Sequence, residues 1–510
     1  MTDAAVARIS RLDALVDYAR REPGRCLAVV LALHVTVWTL LPALLSHNLQ
    51  LDLIEDLALG REWQLGYWKH PPLPWWLADL AYRAIGDVRV VYLLGPLSAA
   101  ACMFAAWLLG RDILGGFQAL IAVLALEGLH FFNFSVPKFA HDQMQLPFWA
   151  LTGLLLYRAI TRERLFDWFA AGIALAFCFW SKYAAFALAG SIGLFMLFDP
   201  KARSTLRTPG PWLMALAFLV MIAPNLVWLI DSGYLPFRYA DERAKVATHW
   251  YHFFTFPLQW TGGQLFFLAP TIALTGLALF GARRRPAEDD KIGFARRYVT
   301  MLALGPFAVT TAVALLAGRL PVAMWGYPLW SFAPLAALLW FGTASEPLPL
   351  RRFATGFLIV FAAFPLAYAI VEGLEPVIRD RPKATQFPGR ALAEQVTRRW
   401  RDKFATALPY VGGGEFATNN IAVYSPDRPH VIVHADLGIS PWIDFADLRR
   451  RGAVLVWEDG QIDAAQLARL RSDYPGLEVR EPITLPRQVF VESAHVRAVR
   501  VHVAFVPPRP

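Results

Sequence analysis

Long apolar stretches recur along most of this chain, and they restrict its fold more than any other feature. A helix that crosses the hydrocarbon core of a bilayer, about 30 Å thick, needs about 20 predominantly apolar residues, because the core offers no water to the backbone. We count about eleven such stretches by this length criterion. The composition, 56% hydrophobic and 17% charged, excludes a soluble enzyme and a disordered chain. The sequence therefore predicts an α-helical polytopic membrane protein, with stretches near residues 26–46, 89–110, 115–133, 144–158, 166–181, 184–199, 211–230, 262–281, 298–318, 324–343 and 353–372.

The basic residues alternate between the two sides of these stretches. Arginines and lysines concentrate in every second loop, for example Arg25 before the first stretch, Arg162 after the fourth and Lys201 after the sixth. Positively charged loops stay on the cytoplasmic side of a membrane. An odd number of spans then places the N-terminus inside and the chain after residue 373 outside, whereas an even number would reverse the second placement. The outer side would be the periplasm, and the membrane the inner membrane, if the organism is a Gram-negative bacterium.

The chain divides into three regions. Residues 1–25 form a cytoplasmic amphipathic segment, and residues 26–373 form the membrane domain, with long outer loops at 47–88 and 231–261. Residues 374–510 change to alternating strand-like and helix-like segments, such as AVLVWED and DAAQLARLRSDYPG, which predict a small α/β domain.

The C-terminal domain itself shows no pattern typical of catalysis. Its glycine run at 412–414 lacks the lysine and hydroxyl residue of a phosphate-binding loop, so it indicates a turn. The polar residues in or near its loops are predicted to be structural or exposed, while recognition of an acceptor by this domain is a hypothesis. These residues are His430, His434, Asp436, Trp442 and Asp444.

The first outer loop begins with three acids on a mostly apolar segment. Asp52 would share a helix face with Glu55 and Asp56. A solvated helix end is one interpretation. A general base is the other, because a carboxylate held against apolar walls has a raised pKa. The residues alone favour neither.

Basic residues follow in the outer loops. Lys69 and His70 precede two prolines, which fix an extended backbone, and a lysine there could bind phosphate, although contact with lipid headgroups is the ordinary alternative. Lys182 lies at outer-leaflet depth, where a charge is costly and therefore a functional candidate. The second long loop adds further charged residues and a histidine pair at helical spacing. A zinc site there lacks a third ligand, so we predict no metal. These additional outer residues are Lys138, His141, Asp142, Asp241, Glu242, Arg243, Lys245, His249 and His252.

Four features in order resemble a known family. Asp52 with its apolar helix, the segment GYWKHPPLPWW, Asp142 before the fourth stretch and the segment WSKYAAFAL are similar to the bacterial C-type (GT-C) glycosyltransferases. These enzymes are related to dolichyl-phosphate-mannose protein mannosyltransferases, lipid A aminoarabinose transferases and rhizobial lipid A galacturonosyltransferases. The resemblance covers about residues 26–345, and GRLPVAMWGYPLW at 318–330 is similar to the family's late outer loop.

The resemblance implies a GT-C-like fold with outer juxtamembrane helices and an inverting transfer of sugar from a polyprenyl phosphate donor. It implies that Asp52 is the catalytic aspartate and that Asp142 orients the acceptor or the sugar. The family usually has an acidic pair at the first position, whereas Leu53 follows Asp52 here and the second acid is Glu55. The base is therefore Asp52 or Glu55.

The resemblance also implies the donor-phosphate site and the partners. Lys69 or His70 would contact the phosphate, with Lys182 and Arg243 as weaker candidates. The donor sugar is a hexose, a pentose or a uronic acid, and the acceptor is lipid A, an oligosaccharide, another lipid or a protein of the envelope. Beyond the polyprenyl-phosphate sugar we predict no cofactor, and beyond the acceptor and membrane lipids we predict no nucleic-acid partner.

Two other classes of protein fit part of this sequence. A transporter or flippase also combines many spans with ionisable groups, but carriers place those groups near mid-membrane, and here the acids lie in outer loops. A membrane-anchored scaffold would leave the polar first loop unexplained. The glycosyltransferase hypothesis is therefore preferred.

Overall fold

The computed structural model describes residues 11–282, 290–342, 347–379, 381–492 and 495–509, so the first ten residues of the predicted N-terminal segment lie outside the described residues. The helices of the membrane domain are α1 (Arg11–Arg21), α2 (Pro23–Leu45), α3 (Leu51–Gly60), α4 (Leu73–Ile85), α5 (Leu94–Leu114), α6 (Gly116–Ala125), α7 (His141–Arg162), α8 (Leu165–Ser181), α9 (Ala185–Phe198), α10 (Pro200–Ser204), α11 (Pro209–Asp231), α12 (Leu235–Arg243), α13 (His252–Leu279), α14 (Asp290–Ala317), α15 (Ala333–Phe341) and α16 (Pro347–Ile378). Two short strands, β1 (Lys245–Val246) and β2 (Arg319–Leu320), pair antiparallel above them.

Each predicted apolar stretch overlaps a helical segment of the described chain. Within the described residues, six helices are long and apolar enough to cross a membrane, and a seventh span results if α9 and the bent segment after it are one unit. The sequence predicted about eleven spans. The other stretches form shorter or more polar helices, such as α6, α7 and α8, whose residues are largely buried among neighbouring helices. Apolar length alone does not separate these inner helices from lipid-facing ones.

Apart from Glu127, which is buried against His34 of α2, most charged side chains of the described membrane domain lie at two opposite ends. At one end Arg158 and Arg162 pair with Asp112, and Arg297 pairs with Asp199 at 2.6 Å. Helix α7 runs from this end to the outer loops, where Asp142 in its first turn pairs with a lysine. The arginine-rich loops are thereby separated from the acids and bases of the outer loops by the length of the helices.

The C-terminal residues fold as an α/β domain, as predicted from their pattern. Helix α17 (Gly389–Phe404) precedes a five-stranded sheet in the order β4–β3–β5–β7–β6, in which β3, β4 and β5 are parallel and β7 is antiparallel to β5 and β6. The remaining elements are β3 (Tyr410–Gly413), α18 (Glu415–Tyr424), β4 (His430–Val433), α19 (Phe445–Arg451), β5 (Ala453–Glu458), α20 (Ala464–Asp473), β6 (Glu478–Leu485) and β7 (Val499–Val506).

This domain packs on the first outer loop. Helix α3 lies between α4 and α18, and His430 Nδ1 lies 3.0 Å from the carboxylate of Glu62. The Arg61 guanidinium donates to the carbonyl of Arg428, and Asn48 Nδ2 donates to the carbonyl of Ala384. One continuous apolar core includes residues from both domains. The position of the C-terminal domain is therefore fixed by the same loop that carries the predicted acids.

Candidate active site

Helix α3 presents its acids toward the interface between the two domains. Its apolar residues pack into the core on the other sides, so Leu53 and Ile54 are completely buried. Glu55 is 5% exposed and Asp56 is 1% exposed, while Asp52, one turn before Asp56, is half-buried. The acidic group of the first outer loop is thus not a solvated helix end. Apolar packing holds Asp52 and Glu55 at the boundary between the domains and encloses Asp56. We call the region around Asp52, Glu55 and Lys69 the cleft.

The first predicted basic residue, Lys69, lies between two carboxylates. Its ammonium is 3.0 Å from both oxygens of Glu55, and it donates a second, short hydrogen bond to Glu415 at the start of α18. The same nitrogen lies over the rings of Trp68 and Tyr239, at 4.9 and 5.7 Å from their centroids. Because Glu415 belongs to the C-terminal domain, this ion triad joins the two domains.

The three charged groups of this triad shift one another's pKa values. Burial raises the pKa of Glu55 despite the opposing charge of Lys69, whereas for Glu415 the charge and hydrogen bond of Lys69 outweigh burial and lower the pKa. Burial acts to lower the pKa of Lys69, but the two carboxylates more than offset it, so the pKa is raised. At neutral pH Lys69 and Glu415 are therefore charged, and Glu55 is the carboxyl group of the triad that most readily takes up a proton.

The carboxylate of Asp52 differs from that of Glu55 in having no ion pair or hydrogen bond among the described residues. Burial is the largest influence on its pKa and raises it, and the charges that act on it come from Lys69, Asp142, Lys138 and Glu415. Asp52 is therefore a partly accessible carboxylate of increased basicity at the centre of the charged groups. These are the properties of a general base.

Two further predicted residues form a second ion pair beside this group. The ammonium of Lys182, which follows α8, donates to Asp142, and both side chains are nearly inaccessible to solvent. Gln145, one turn later in α7, lies 3.5 Å from the same carboxylate oxygen. The pair joins α7 to the end of α8 and keeps the charge of Asp142 within range of Asp52.

His70 is half-buried beside the same cleft, without an acidic neighbour. Its ring lies 4.1 Å from that of His141 and 5.8 Å from that of Tyr239. Burial, followed by the charges of His141, Lys182 and Lys69, lowers the pKa of His70 well below its usual value. His70 is therefore neutral at physiological pH, which leaves Lys69 as the fixed cation of the HPP segment.

Arg243 is placed outside this cleft. It is exposed and lines a cavity of about 520 Å³ together with Arg238, Trp68, Tyr239 and His434. We call this the outer-loop cavity. Since Trp68 and Tyr239 also contact Lys69, the cavity leads from solvent to the ion triad.

The histidine pair of the second long loop is held by local bonds. His252 Nδ1 accepts from the backbone nitrogens of Thr248 and His249, at 3.0 and 3.3 Å. In the part of the chain that the structure describes, no group of three or more His, Cys, Asp or Glu side chains could hold a metal ion.

A groove on the side of the membrane domain reaches the same region. Its volume is about 400 Å³, and its walls are mostly apolar residues of α9, α12 and α14, such as Phe186, Phe237 and Val313. The pair Arg319 and Asp241 lies at its outer margin. An apolar chain lying in this lateral groove would have its polar end beside the outer loops.

Two residues of the site were missed by sequence reasoning. Glu415 lies far from Lys69 in the chain, and its only signal is the glycine run that precedes it. Tyr327, in the late outer segment, accepts from Gln143 Nε2 at 3.2 Å and lies near Asp52 and Asp142, whose charges act on it. The resemblance identified the segment but not this residue.

Comparison with known proteins identifies related folds. Residues 69–228 match the family model described as dolichyl-phosphate-mannose-protein mannosyltransferase, and this confirms the predicted resemblance. A comparison with curated protein sequences found no match. Among solved structures, the chain is similar to ArnT from Cupriavidus metallidurans bound to undecaprenyl phosphate, with 13% identity, a TM-score of 0.59 and coverage of 95% of this chain and 99% of that one.

Two further structures share the fold. The apo state of the same ArnT matches with 15% identity, a TM-score of 0.54 and coverage of 96% and 100%. The arabinofuranosyltransferase AftD from Mycobacteria matches with 16% identity, a TM-score of 0.50 and coverage of 95% of this chain and 42% of that one. These similarities confirm the predicted GT-C-like fold of a multi-pass membrane protein with a small C-terminal sheet domain.

Proposed function

We propose that the chain is an inverting glycosyltransferase that moves a sugar from a polyprenyl-phosphate donor to an acceptor of the bacterial envelope. The observation that carries this proposal is the unpaired carboxylate of Asp52 beside the buried cation Lys69, within the part of the chain that the structure describes. A base and a fixed positive charge are the two groups required when a hydroxyl displaces a phosphate from a sugar. The match to the mannosyltransferase family and the ArnT-like fold support the same class of reaction.

Asp52 acts as the general base in this proposal. The acceptor oxygen forms a bond to the anomeric carbon from the face opposite the phosphate, Asp52 takes the hydroxyl proton, and the bond from the anomeric carbon to the phosphate oxygen breaks. Glu55 is less suited to this role, because both of its oxygens are occupied by Lys69. Glu55 is instead a positioning residue that holds the ammonium.

Lys69 stabilises the leaving phosphate. A phosphodiester that becomes a phosphomonoester gains negative charge, and a cation aimed at it from a partly water-excluded cleft lowers the barrier. The second carboxylate, Glu415, occupies the more exposed side of the ammonium. The donor phosphate would replace Glu415 there, while Glu55 continues to hold Lys69. Asp142, paired with Lys182, would orient the sugar or the acceptor.

The donor lipid would use the lateral groove. Its apolar walls suit an isoprenoid chain, and Arg319 at the outer margin favours the phosphate end. The ArnT of similar fold binds undecaprenyl phosphate, which supports a polyprenyl phosphate as the donor class here. The proposed steps use side chains of this chain and the donor, with no further cofactor.

The proposed location is the bacterial inner membrane, with the site on the periplasmic side. The arginine-rich loops lie at the end opposite the site, which supports a cytoplasmic N-terminus by the positive-inside rule. The envelope acceptor, whether lipid A, an oligosaccharide, another lipid or a protein, would then meet the site from the periplasm.

The test is transfer of radiolabelled sugar from a panel of polyprenyl-phosphate donors to envelope acceptors, in membranes that contain the wild-type protein or Asp52→Asn. Transfer by the wild type that Asp52→Asn abolishes at an equal protein level supports the proposal. Donor movement across vesicles without covalent transfer would instead identify a flippase.

A further inference from the structure

The C-terminal domain contains a cavity of about 850 Å³ that the proposed chemistry does not use. It opens at the carboxyl ends of the parallel strands β3, β4 and β5, between the turn after β3 and the end of β5. Because β3 lies between β4 and β5, the next strand after β3 is added on one side of it and the strand after that on the other side. The strand order therefore reverses at this point. Open α/β sheets bind ligands at such a switch point, and the volume lies within the range of about 300–1,000 Å³ of small-molecule sites. We call it the strand-edge cavity.

Strained backbone forms one wall of this cavity. His434 and Ala435, directly after β4, both have left-handed conformations, with φ of 52° and 57°. Residues other than glycine are uncommon in this conformation, and they persist only where the surrounding structure enforces it. The hydroxyl of Tyr474 donates to the carbonyl of Ala435 at 2.8 Å and holds the turn. Strain of this kind concentrates at functional sites.

The strand-edge cavity adjoins the outer-loop cavity and the ion triad through shared residues. Glu415 and His434 line it, and Glu415 is the residue that pairs with Lys69. His434 and Asp436 also line the outer-loop cavity, whose other wall contains Trp68. A molecule seated at the strand edge could therefore extend along His434 to the ammonium and to Asp52.

The charges of the lining residues select against phosphate. Among the described lining residues the guanidinium of Arg469 is paired with Asp473 at 3.5 Å. Glu415 in the first turn of α18 adds a negative charge near the helix N-terminus, which disfavours a phosphate there. Asp436 adds a further acid. Burial lowers the pKa of His434, so its ring is neutral.

The uncharged lining residues suit a sugar. Phe445 exposes half of its ring and can stack on the apolar face of a pyranose. The side-chain oxygens of Gln461 and Gln466 accept from backbone nitrogens at 2.9 Å, so both amide NH₂ groups remain available as donors. Aromatic stacking with directed amide bonds is the chemistry of saccharide recognition.

We propose that the strand-edge cavity binds a phosphate-free sugar unit, neutral or amino-substituted, of the acceptor. That this sugar belongs to the acceptor rests on the proposed function, whereas the binding of a sugar does not. The cavity would hold one unit of the acceptor while a hydroxyl of the same molecule reaches Asp52. The C-terminal domain would thereby select the acceptor.

The test measures binding of three probes to the full-length protein in lipid nanodiscs, with Asp52→Asn present to prevent turnover. The probes are glucosamine, di-N-acetylchitobiose and glucosamine 6-phosphate. Their binding is measured by saturation-transfer NMR and calorimetry. We expect the first two to bind, and Phe445→Ala or Gln466→Ala to raise their Kd about fivefold, the loss of one contact. Arg471→Ala, on the same helix as Gln466 but outside the lining, should leave Kd unchanged.

Three results would overturn the inference: no binding of any probe, equal Kd in the Phe445 and Gln466 variants and the wild type, or tighter binding of the phosphorylated sugar. The transfer assay separates this site from the proposed function. If the protein transfers sugar but binds no probe, the strand-edge site is refuted and the proposed function stands. A protein that binds the probes through Phe445 and Gln466 but transfers nothing lacks the proposed activity and keeps the site.

Discussion

The assignment of the base to Asp52 predicts a specific order among three substitutions on one helix. Asp52→Asn keeps the size of the side chain and removes the acid, and no ion pair or hydrogen bond among the described residues is lost. General-base catalysis contributes about 10²–10⁴-fold, so kcat/KM should fall by that factor, or about 2.7–5.5 kcal/mol of barrier. The thermal stability of the protein should be unchanged or higher, because a desolvated acid is replaced by a neutral amide.

Glu55→Gln and Asp56→Asn are the matched comparisons. Glu55→Gln removes one of two carboxylates from Lys69 but leaves a group that can still accept its hydrogen bond, so we expect less than a tenfold loss. Asp56 is buried, and burial followed by the charges of Asp52 and Glu55 raises its pKa well above normal. It is therefore neutral, and Asp56→Asn should change kcat/KM by less than about threefold.

The pH profile gives a second readout of the same assignment. The base acts as the carboxylate, so kcat/KM should decrease as pH falls through the raised pKa of Asp52, above the usual value near 3.9. The residual activity of Asp52→Asn should lack this acid limb. Initial rates of sugar transfer from a saturating acceptor at matched protein levels measure both effects. A hundredfold loss in Glu55→Gln with less than tenfold in Asp52→Asn would refute the reasoning.

Four other substitutions test the charged groups and the glycine run. Lys69→Met should abolish donor binding and destabilise the fold by about 3–5 kcal/mol, because two carboxylates lose their cation. The double variant Lys69→Met with Glu415→Gln should recover thermal stability but not sugar transfer. Lys182→Met leaves Asp142 as a buried unpaired charge, so differential scanning fluorimetry should show a loss of similar size. Gly413→Ala should unfold the C-terminal domain at lower temperature, since φ is 111° and an added Cβ would lie 2.1 Å from a carbonyl oxygen of β5.

Local patterns were enough to find the groups that share one loop or one face. Asp52, Lys69, Asp142 and Lys182 were predicted because the alternation of basic loops assigns all of them to the same side of the membrane, and the structure brings them together. The resemblance to the C-type glycosyltransferases over about residues 26–345 adds their order along the chain, and the family model matches the part from 69 to 228. The topology predicted that these side chains lie near one another, but it did not predict which of them form ion pairs. Which acid lies free and which acid holds the lysine depends on side-chain packing around α3.

The contribution of Glu415 could not be read from the sequence for the same reason. A glutamate at the first position of a helix is an ordinary stabilising feature, because it interacts favourably with the helix dipole. Its role at Lys69 arises only because α18 packs on α3. The hydrophobic pattern also did not predict the number of full-length membrane spans, because helices buried among other helices are as apolar as helices in lipid.

The shared ammonium leads to a last prediction, that donor binding takes up a proton. Lys69 faces two carboxylates, and the donor phosphate takes the place of Glu415 on the ammonium. The displaced carboxylate stays close because α18 packs on α3, so Glu55 has one more anion near it than in the free enzyme. Of the two, Glu55 has the raised pKa, and a nearby phosphate raises it further. The complex then holds more protons than the free enzyme, and affinity increases as pH falls, by up to tenfold per unit.

The pKa of Glu55 is raised to about 8 in the free enzyme, so the slope in donor Kd should lie above that pH. A sugar phosphodiester donor does not titrate between pH 8 and 10, so its Kd over that range reports the protein alone. We expect tighter binding at pH 8 than at pH 10 for the wild type and a flat profile for Glu55→Gln, whose neutral amide imitates the protonated acid. Asp56→Asn, which keeps Glu55, should retain the slope. A slope that persists in Glu55→Gln would assign the proton to another group, and binding that tightens from pH 8 toward pH 10 would contradict the placement of the phosphate beside Glu55. Donor binding at Lys69 is coupled to both domains, because Glu55, which stays on the ammonium, belongs to the membrane domain and Glu415, which leaves it, belongs to the C-terminal domain.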